Sequence, residues 1–141
     1  MECHVVPLNR EHLHKLLKQV KLGITATSLE ESYFSPGSIA CCILADGEPV
    51  FAGGIVNLMW NRGEAWMLPT RFFHRHTGIC FRHMIKELAK MAIHGGFKRV
   101  QATCAVTIST MLFDHLGFEY EGTMKGFGPS GEACHMYSRL F

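Results

Sequence analysis

One short segment of the sequence concentrates side chains that could bind a phosphate group. Residues 71–80 read Arg-Phe-Phe-His-Arg-His-Thr-Gly-Ile-Cys and lead into a stretch with helical spacing. The first amides of a helix have no partner inside the helix and bind anions, and Arg75 and Arg82 add positive charge beside them. The segment therefore indicates a phosphate site at a helix start. A solvated basic loop is the alternative interpretation.

The same segment contains side chains that bind metal ions in other proteins. His74, His76, Cys80 and His83 fall within ten residues. Zinc sites usually combine two closely spaced pairs, such as Cys-x2-Cys with a matching second pair, and these residues lack that spacing. We therefore expect no metal here.

Hydrophobic periodicity predicts the elements that position this segment. Apolar spacings of three and four predict a helix over 10–20 with Asn9 as its N-cap, and a longer helix over 77–94 that ends at Gly95-Gly96. Short helices are expected within 21–38 and 108–116. Apolar or alternating runs predict strands over 39–45, 50–58, 64–70, 98–104, 118–124 and 132–140. Within the second strand, Gly53-Gly54 marks a bulge or a close backbone approach.

This order of elements predicts an α+β fold in one domain, residues 1–141. The central sheet is mixed and mostly antiparallel, with one parallel pair joined by the helix over 77–94. The two parallel strands can splay apart and leave a slot, and ligands bind at such switch points near the start of the crossover helix.

Composition excludes several classes of protein. The chain has 141 residues, 48% of them hydrophobic and 18% charged, with a formal net charge of +2. These values exclude a disordered chain and argue against nucleic-acid binding through bulk charge. The six cysteines, without a signal-peptide pattern, indicate reduced thiols in a cytoplasmic protein. No apolar run approaches the roughly 20 residues that span a bilayer, so we expect no membrane association.

The element order, the loop over 75–80 and Leu116-Gly117-Phe118 resemble the GNAT N-acetyltransferase superfamily. Its hallmark is Gln/Arg-x-x-Gly-x-Gly/Ala at the start of the helix after the fourth strand, where backbone amides hold the pyrophosphate of acetyl-CoA. Arg75 and Gly78 match this pattern, and Cys80 stands where Gly or Ala is expected. Segments 63–68, 117–122 and 137–139 resemble a narrower branch, small GNAT-like proteins encoded by tailed phages and prophages.

The resemblance implies an acetyl-CoA-dependent N-acetyltransferase that acts on an amine, either a small molecule or a protein. Glu64 would be a general base, although a surface carboxylate near a turn is the alternative. The expected cosubstrate-binding residues are Leu68 and Thr70 for the pantetheine arm, Arg75, His76, Thr77, Gly78, Ile79 and Cys80 for the pyrophosphate, and Phe113. The acceptor pocket would come from residues 21–38 and 124–134, and a homodimer is compatible with the resemblance.

Two departures from the family pattern concern catalysis. Phe113 occupies the position of a tyrosine that protonates the leaving thiolate, and Val106 that of a common asparagine. The candidate substitutes for the tyrosine are His115, Tyr120 and Cys104. The departures motivate an alternative function, a weak or inactive GNAT-fold protein of a phage or prophage. Such a protein would work in the virion or in its assembly, in contact with other particle components.

Overall fold

The computed structural model describes residues 1–20, 26–68, 70–106 and 111–141, with only the backbone described for 26–29. The strands are β1 (Cys3–Pro7), β2 (Ile39–Ala45), β3 (Glu48–Asn57), β4 (Arg62–Leu68), β5 (Arg99–Ala105), β6 (Glu119–Met124) and β7 (Cys134–Leu140). The helices are α1 (Arg10–Leu17), α2 (Ala26–Tyr33), α3 (Arg71–Arg75), α4 (Thr77–His94) and α5 (Met111–His115).

The strands form one sheet in the order β1-β2-β3-β4-β5-β7-β6. Every neighbouring pair is antiparallel except β4 and β5, which run parallel and are connected through α3 and α4. This arrangement confirms the predicted fold class, a mixed and mostly antiparallel sheet with one parallel crossover.

Helices cover the two faces of the sheet in different ways. On one face, Leu88 and Met91 of α4 and Phe113 of α5 pack on Val100 and Tyr137. On the other face, Leu13 and Leu16 of α1 pack on Cys42, Ala52 and Leu68. Burial of such side chains is the main source of the fold's stability. We call these the α4 face and the α1 face.

Several boundaries agree with the sequence-based expectations. The predicted β2 and α4 match the structure at both ends, and Asn9 caps α1 by accepting a hydrogen bond of 2.7 Å from the His12 amide. α1 stops at Leu17, three residues before the predicted end, and β4 stops at Leu68 instead of residue 70.

Two elements were not predicted. β1 is a five-residue edge strand that ends in Pro7, too short for a clear alternation of apolar and polar residues. α3 lies in the segment that we expected to be a loop. It begins after Thr70, whose side chain accepts a hydrogen bond from the Phe73 amide. A threonine N-cap supports a short helix that has no periodic apolar face.

The glycine pair in β3 permits a close approach of backbones. A β-carbon on Gly54 would lie 2.5 Å from the carbonyl oxygen of Ile39 and 2.8 Å from the Cα atom of Ala40. The register shift between β2 and β3 lies elsewhere, between Ile43 and Leu44. The glycine pair therefore marks a close contact, and the bulge that was offered as an alternative is not at this position.

A Gly54→Ala variant is expected to lose about 2 kcal/mol of its free energy of unfolding, because backbone atoms of β2 must move to admit the methyl group. Urea denaturation followed by circular dichroism measures this loss. Gly78→Ala is the matched control, since a β-carbon there meets no atom within 4 Å and alanine favours a helix by about 1 kcal/mol. Equal stabilities of the two variants would contradict the close contact at Gly54.

Candidate active site

A slot opens in the sheet between β4 and β5. The two strands pair only at Arg62–Arg99, Gly63–Val100 and Glu64–Gln101. Beyond Glu64, residues 65–68 of β4 pair with β3, and residues 102–105 of β5 pair with β7. Among the described residues, the facing edges of these two segments form no strand pair with each other. Their backbone groups are therefore available to a ligand that lies in the slot.

Glu64 lies at the closed end of the slot, in the last pair before the strands separate. Its side chain is half-buried, and this burial raises the pKa of its carboxyl group above the ordinary value. A carboxyl group with a raised pKa in such a position suits general acid–base chemistry.

An aromatic pair lies on the same face of β4. Trp66 is two residues after Glu64 and therefore points to the same side of the sheet. Its ring stacks on Tyr33 of α2 with 3.5 Å between centroids and 1° between planes. Burial raises the pKa of Tyr33 to about 12, so its hydroxyl stays protonated. Trp66 packs on the α1 face of the sheet.

Thr70 anchors the chain where it leaves the slot after Leu68. Thr70 is fully buried, and its hydroxyl donates a hydrogen bond of 2.5 Å to the carbonyl oxygen of Val50. Its amide already donates to Leu68 at 3.0 Å. Thr70 therefore places α3 and the start of α4 against β3, and its amide is engaged within the chain. Leu68 is also buried, with its backbone at the open edge of β4.

The start of α4 is open and cationic. The amides of Ile79 and Cys80 donate to the carbonyl oxygen of His76 at 3.1 Å, so among the described contacts the first-turn amides left for a ligand are those of Thr77 and Gly78. No atom lies within 4 Å of a β-carbon built on Gly78. The exposed Arg75 precedes this turn. An exposed helix start with a cation beside it attracts anions.

Cys80 connects this helix start to the sheet. Its side chain is fully buried against Ile43 and Phe51, and burial raises the pKa of the thiol to about 11. The thiol is therefore protonated at neutral pH. A small side chain suits this position because the helix lies directly on the sheet.

The three proposed substitutes for the missing tyrosine lie in different places. His115 is an exposed residue of α5 whose ring centroid is 6.2 Å from that of Phe81 on α4. Tyr120 is 56% exposed on β6, which β7 separates from β5. Cys104 is on β5 itself, where burial raises the pKa of its thiol. The structure therefore brings His115 next to α4 and leaves Tyr120 two strands from the slot.

Phe113 lies in the core. Its ring is only 8% exposed and stacks on Tyr137 with 4.3 Å between centroids. His135, which the sequence did not single out, follows on the same face of β7, two residues before Tyr137. It pairs with Cys104 across the sheet. No motif marks this histidine, because only the strand register brings it next to β5.

The four side chains of the His74–His83 segment that bind metals in other proteins do not converge. His74 is exposed on α3, whereas Cys80 is buried against the sheet. Within the described ranges, no group of three or more His, Cys, Asp or Glu side chains is arranged to hold a metal ion. Among the helices of the same ranges, none combines the length and apolarity that crossing a bilayer requires.

Solved structures with the same architecture are acetyltransferases. An acetyltransferase of the GNAT family from Streptococcus pneumoniae matches with a TM-score of 0.77 at 12% identity, over 99% of each chain. The ribosomal-protein-S18-alanine N-acetyltransferase of Escherichia coli has a TM-score of 0.80 at 8% identity, over 99% of this chain and 94% of that one. A variant of the spermidine N-acetyltransferase of Vibrio cholerae has a TM-score of 0.75 at 14% identity, over 97% and 94%.

These likenesses establish that the chain has the GNAT acetyltransferase fold, as the sequence resemblance implied. No protein-family model matches the sequence, and no curated protein sequence matches it. The narrower resemblance to phage-encoded proteins finds no support in these comparisons.

Proposed function

From a chain with the GNAT fold, we propose an N-acetyltransferase that moves an acetyl group from acetyl-CoA to an amine. The observation that carries the proposal is the position of Glu64. This half-buried carboxyl group lies at the point where β4 and β5 separate, on the face opposite α4. A base at the closed end of the slot and an anion site at the start of α4 together suit a thioester that carries phosphates.

The described residues fit the cosubstrate at two points. The space beside Gly78 is open, and the first-turn amides and Arg75 suit a pyrophosphate. The edge of β4 over residues 65–68 that faces β5 has no strand pairing among the described residues. Its backbone groups therefore suit hydrogen bonds with the amides of a pantetheine arm. The amides of three predicted cosubstrate-binding residues are already engaged: that of His76 donates to the carbonyl oxygen of Phe72, and those of Ile79 and Cys80 donate to the carbonyl oxygen of His76. Phe113 packs on Tyr137 in the core of the α4 face.

Side chains and backbone groups of the protein assist the transfer of the acetyl group. When bound, acetyl-CoA supplies an activated acyl group. Glu64 takes a proton from the ammonium form of the acceptor, so that the neutral amine attacks the acyl carbon. A backbone N–H at the open edge of β4 stabilises the negative charge on the carbonyl oxygen. Trp66 lies on the same face of β4 as Glu64 and stacks on Tyr33.

The acceptor reaches Glu64 from the α1 face. The related folds act on acceptors as different as spermidine and a ribosomal-protein alanine, which are both amines. Tyr33 of α2 packs on this face, and we propose that α2 and the hairpin after β6 select the acceptor. The acceptor that we propose is an amine, either of a small molecule or of a protein.

Isothermal titration calorimetry with acetyl-CoA and CoA tests the proposal. We expect one CoA per chain with a dissociation constant in the micromolar range, and acetyl transfer to at least one member of a panel of amines. Absence of binding would exclude the proposed function. Binding without transfer to any amine would favour a protein that keeps the fold and the CoA site but works through other contacts.

A further inference from the structure

The turn between β3 and β4 presents three consecutive apolar side chains to solvent. Leu58, Met59 and Trp60 are 39%, 53% and 80% exposed, and we call residues 58–60 the knob. Trp60 and Asn61 have φ angles of 53° and 60°, in the left-handed region that favours glycine. A bulky aromatic residue in this conformation destabilises the folded chain and gains no burial in return. A contact with another molecule would account for it.

Backbone hydrogen bonds fix the knob against the start of β5. The Asn61 carbonyl oxygen accepts hydrogen bonds from the amides of Lys98 at 2.7 Å and Arg99 at 3.4 Å. The Arg62 guanidinium lies 5.2 Å from the centre of the Trp60 ring. Tryptophan and arginine are the residues that most often dominate the binding energy of protein interfaces, so the knob has the composition of an interface anchor.

A cavity of about 440 Å³, which we call the hole, opens next to the knob. Its lining comes from the start of α1, from α2 and from the residues after α2: Arg10, Glu30, Glu31, Phe34, Ser35 and Pro36. Immediately before the knob, the Asn57 side chain donates a hydrogen bond of 3.1 Å to the Pro36 carbonyl oxygen. The knob and the hole are therefore neighbours on one surface, and the hole is large enough for an indole ring.

The knob and the hole complement each other in shape and in charge. Phe34 forms an aromatic wall of the hole, and the Arg10 guanidinium lies 4.9 Å from the centre of its ring. Two carboxylates, Glu30 and Glu31, edge the hole. Arg10 is 3.9 Å from Glu30, whereas Glu31 is exposed. A tryptophan that carries Arg62 on its ring fits this hole, because the guanidinium would meet Glu31.

We propose that the protein forms a two-fold symmetric dimer in which the knob of each chain enters the hole of the other. A knob and a hole on one surface suit such an isologous interface, because a single rotation closes both contacts. Trp60 is 80% exposed and therefore does not fill the hole of its own chain. The dimer does not depend on the proposed acetyl transfer.

The dimer would bring a side chain of the second copy next to the acceptor side of the slot. Phe34 of the hole follows Tyr33, whose ring stacks on Trp66, on the face of β4 that carries Glu64. Trp60 of the partner subunit would therefore pack against the end of α2 that borders the proposed acceptor site. Dimerisation and acceptor selection would share this end of α2.

Sedimentation velocity of the purified chain over a range of concentrations tests the dimer. We expect an equilibrium between one chain and two, with a dissociation constant in about the micromolar range. The chain has two tryptophans, and Trp60 is the exposed one of the pair Trp60 and Trp66. Its burial in the hole is therefore expected to shift the fluorescence emission to shorter wavelength as the dimer forms. The mass of a single chain at every concentration would overturn the inference.

A Trp60→Gly variant is expected to weaken the dimer by about 100-fold, because it removes the ring that fills the hole. Glycine suits the positive φ at this position, so the variant is expected to keep the circular dichroism spectrum of the natural chain. Phe127→Ser is the matched control, since Phe127 is 54% exposed in the turn after β6, at the opposite end of the strands. Equal dimerisation of the two variants would overturn the inference.

Two charge reversals test the contact across the interface. Arg62→Glu and Glu31→Arg each place like charges at both contacts of a symmetric dimer, and each is expected to weaken the dimer by about tenfold. An equimolar mixture of the two variants has opposite charges at both contacts and is expected to dimerise like the natural chain. A mixture that dimerises no better than the separate variants would overturn the pairing of knob and hole.

Discussion

A Gly78→Asp variant is expected to bind CoA about 100-fold more weakly than the natural chain while folding at least as stably. The new carboxylate would lie at the first turn of α4, in the space that the proposed pyrophosphate occupies. Two unit charges about 5 Å apart repel by roughly 3 kcal/mol at an effective dielectric constant of about 20, which corresponds to that factor. Calorimetric titration measures the affinity.

The folded state tolerates this substitution for separate reasons. Gly78 has no neighbour within 4 Å of a β-carbon, and an acidic residue in the first helical turn interacts favourably with the helix dipole. Ile93→Asp is the matched control, because it adds the same charge to an exposed position in the last turn of the same helix. Equal affinities of the two variants for CoA would contradict a phosphate site at the start of α4.

The second large effect is expected for Glu64→Gln. The amide keeps the size of the side chain but cannot accept a proton, so acetyl transfer is expected to fall by about 100-fold or more while CoA affinity stays unchanged. The rate of the natural chain is expected to fall as pH decreases through the pKa of Glu64, which burial raises above 4.5. That decrease is expected to disappear from the pH profile of the variant.

The stability of this variant separates a catalytic role from a structural one. Because burial raises the pKa of Glu64, the ionised carboxylate costs the folded state stability as pH increases through that pKa. The Gln variant is therefore expected to unfold at the same or a higher urea concentration at neutral pH. Glu119→Gln is the control, since Glu119 lies on the same row of paired residues but three strands away. A Glu64→Gln variant that is unstable, or equal to the control in activity, would contradict the proposed base.

The sequence predicted the elements whose signals are local. The α4 helix has a long apolar stripe and two terminal glycines, and β2 is a compact apolar run bounded by a turn, so both matched at each end. The parallel crossover followed from their order, and the slot followed from the crossover. The position of Glu64 at the closed end of the slot depends on the register of β4 and β5, which no local pattern encodes.

The parts that sequence reasoning missed depend on long-range pairing. Thr70 looked like the end of a strand, but its hydroxyl bonds to a carbonyl twenty residues earlier and starts α3. The knob and the hole looked like parts of separate loops, because only the hydrogen bond from Asn57 to the carbonyl oxygen of Pro36, twenty-one residues earlier, brings them together.

A crystal structure of the complex with acetyl-CoA would test the central claim most directly. The account predicts the pantetheine arm between residues 65–68 of β4 and 102–105 of β5, with the pyrophosphate within hydrogen-bond distance of the amides of Thr77 and Gly78. The acetyl group would lie next to the carboxylate of Glu64. Acetyl-CoA bound elsewhere on the chain, with an empty slot and no phosphate at the start of α4, would contradict the account.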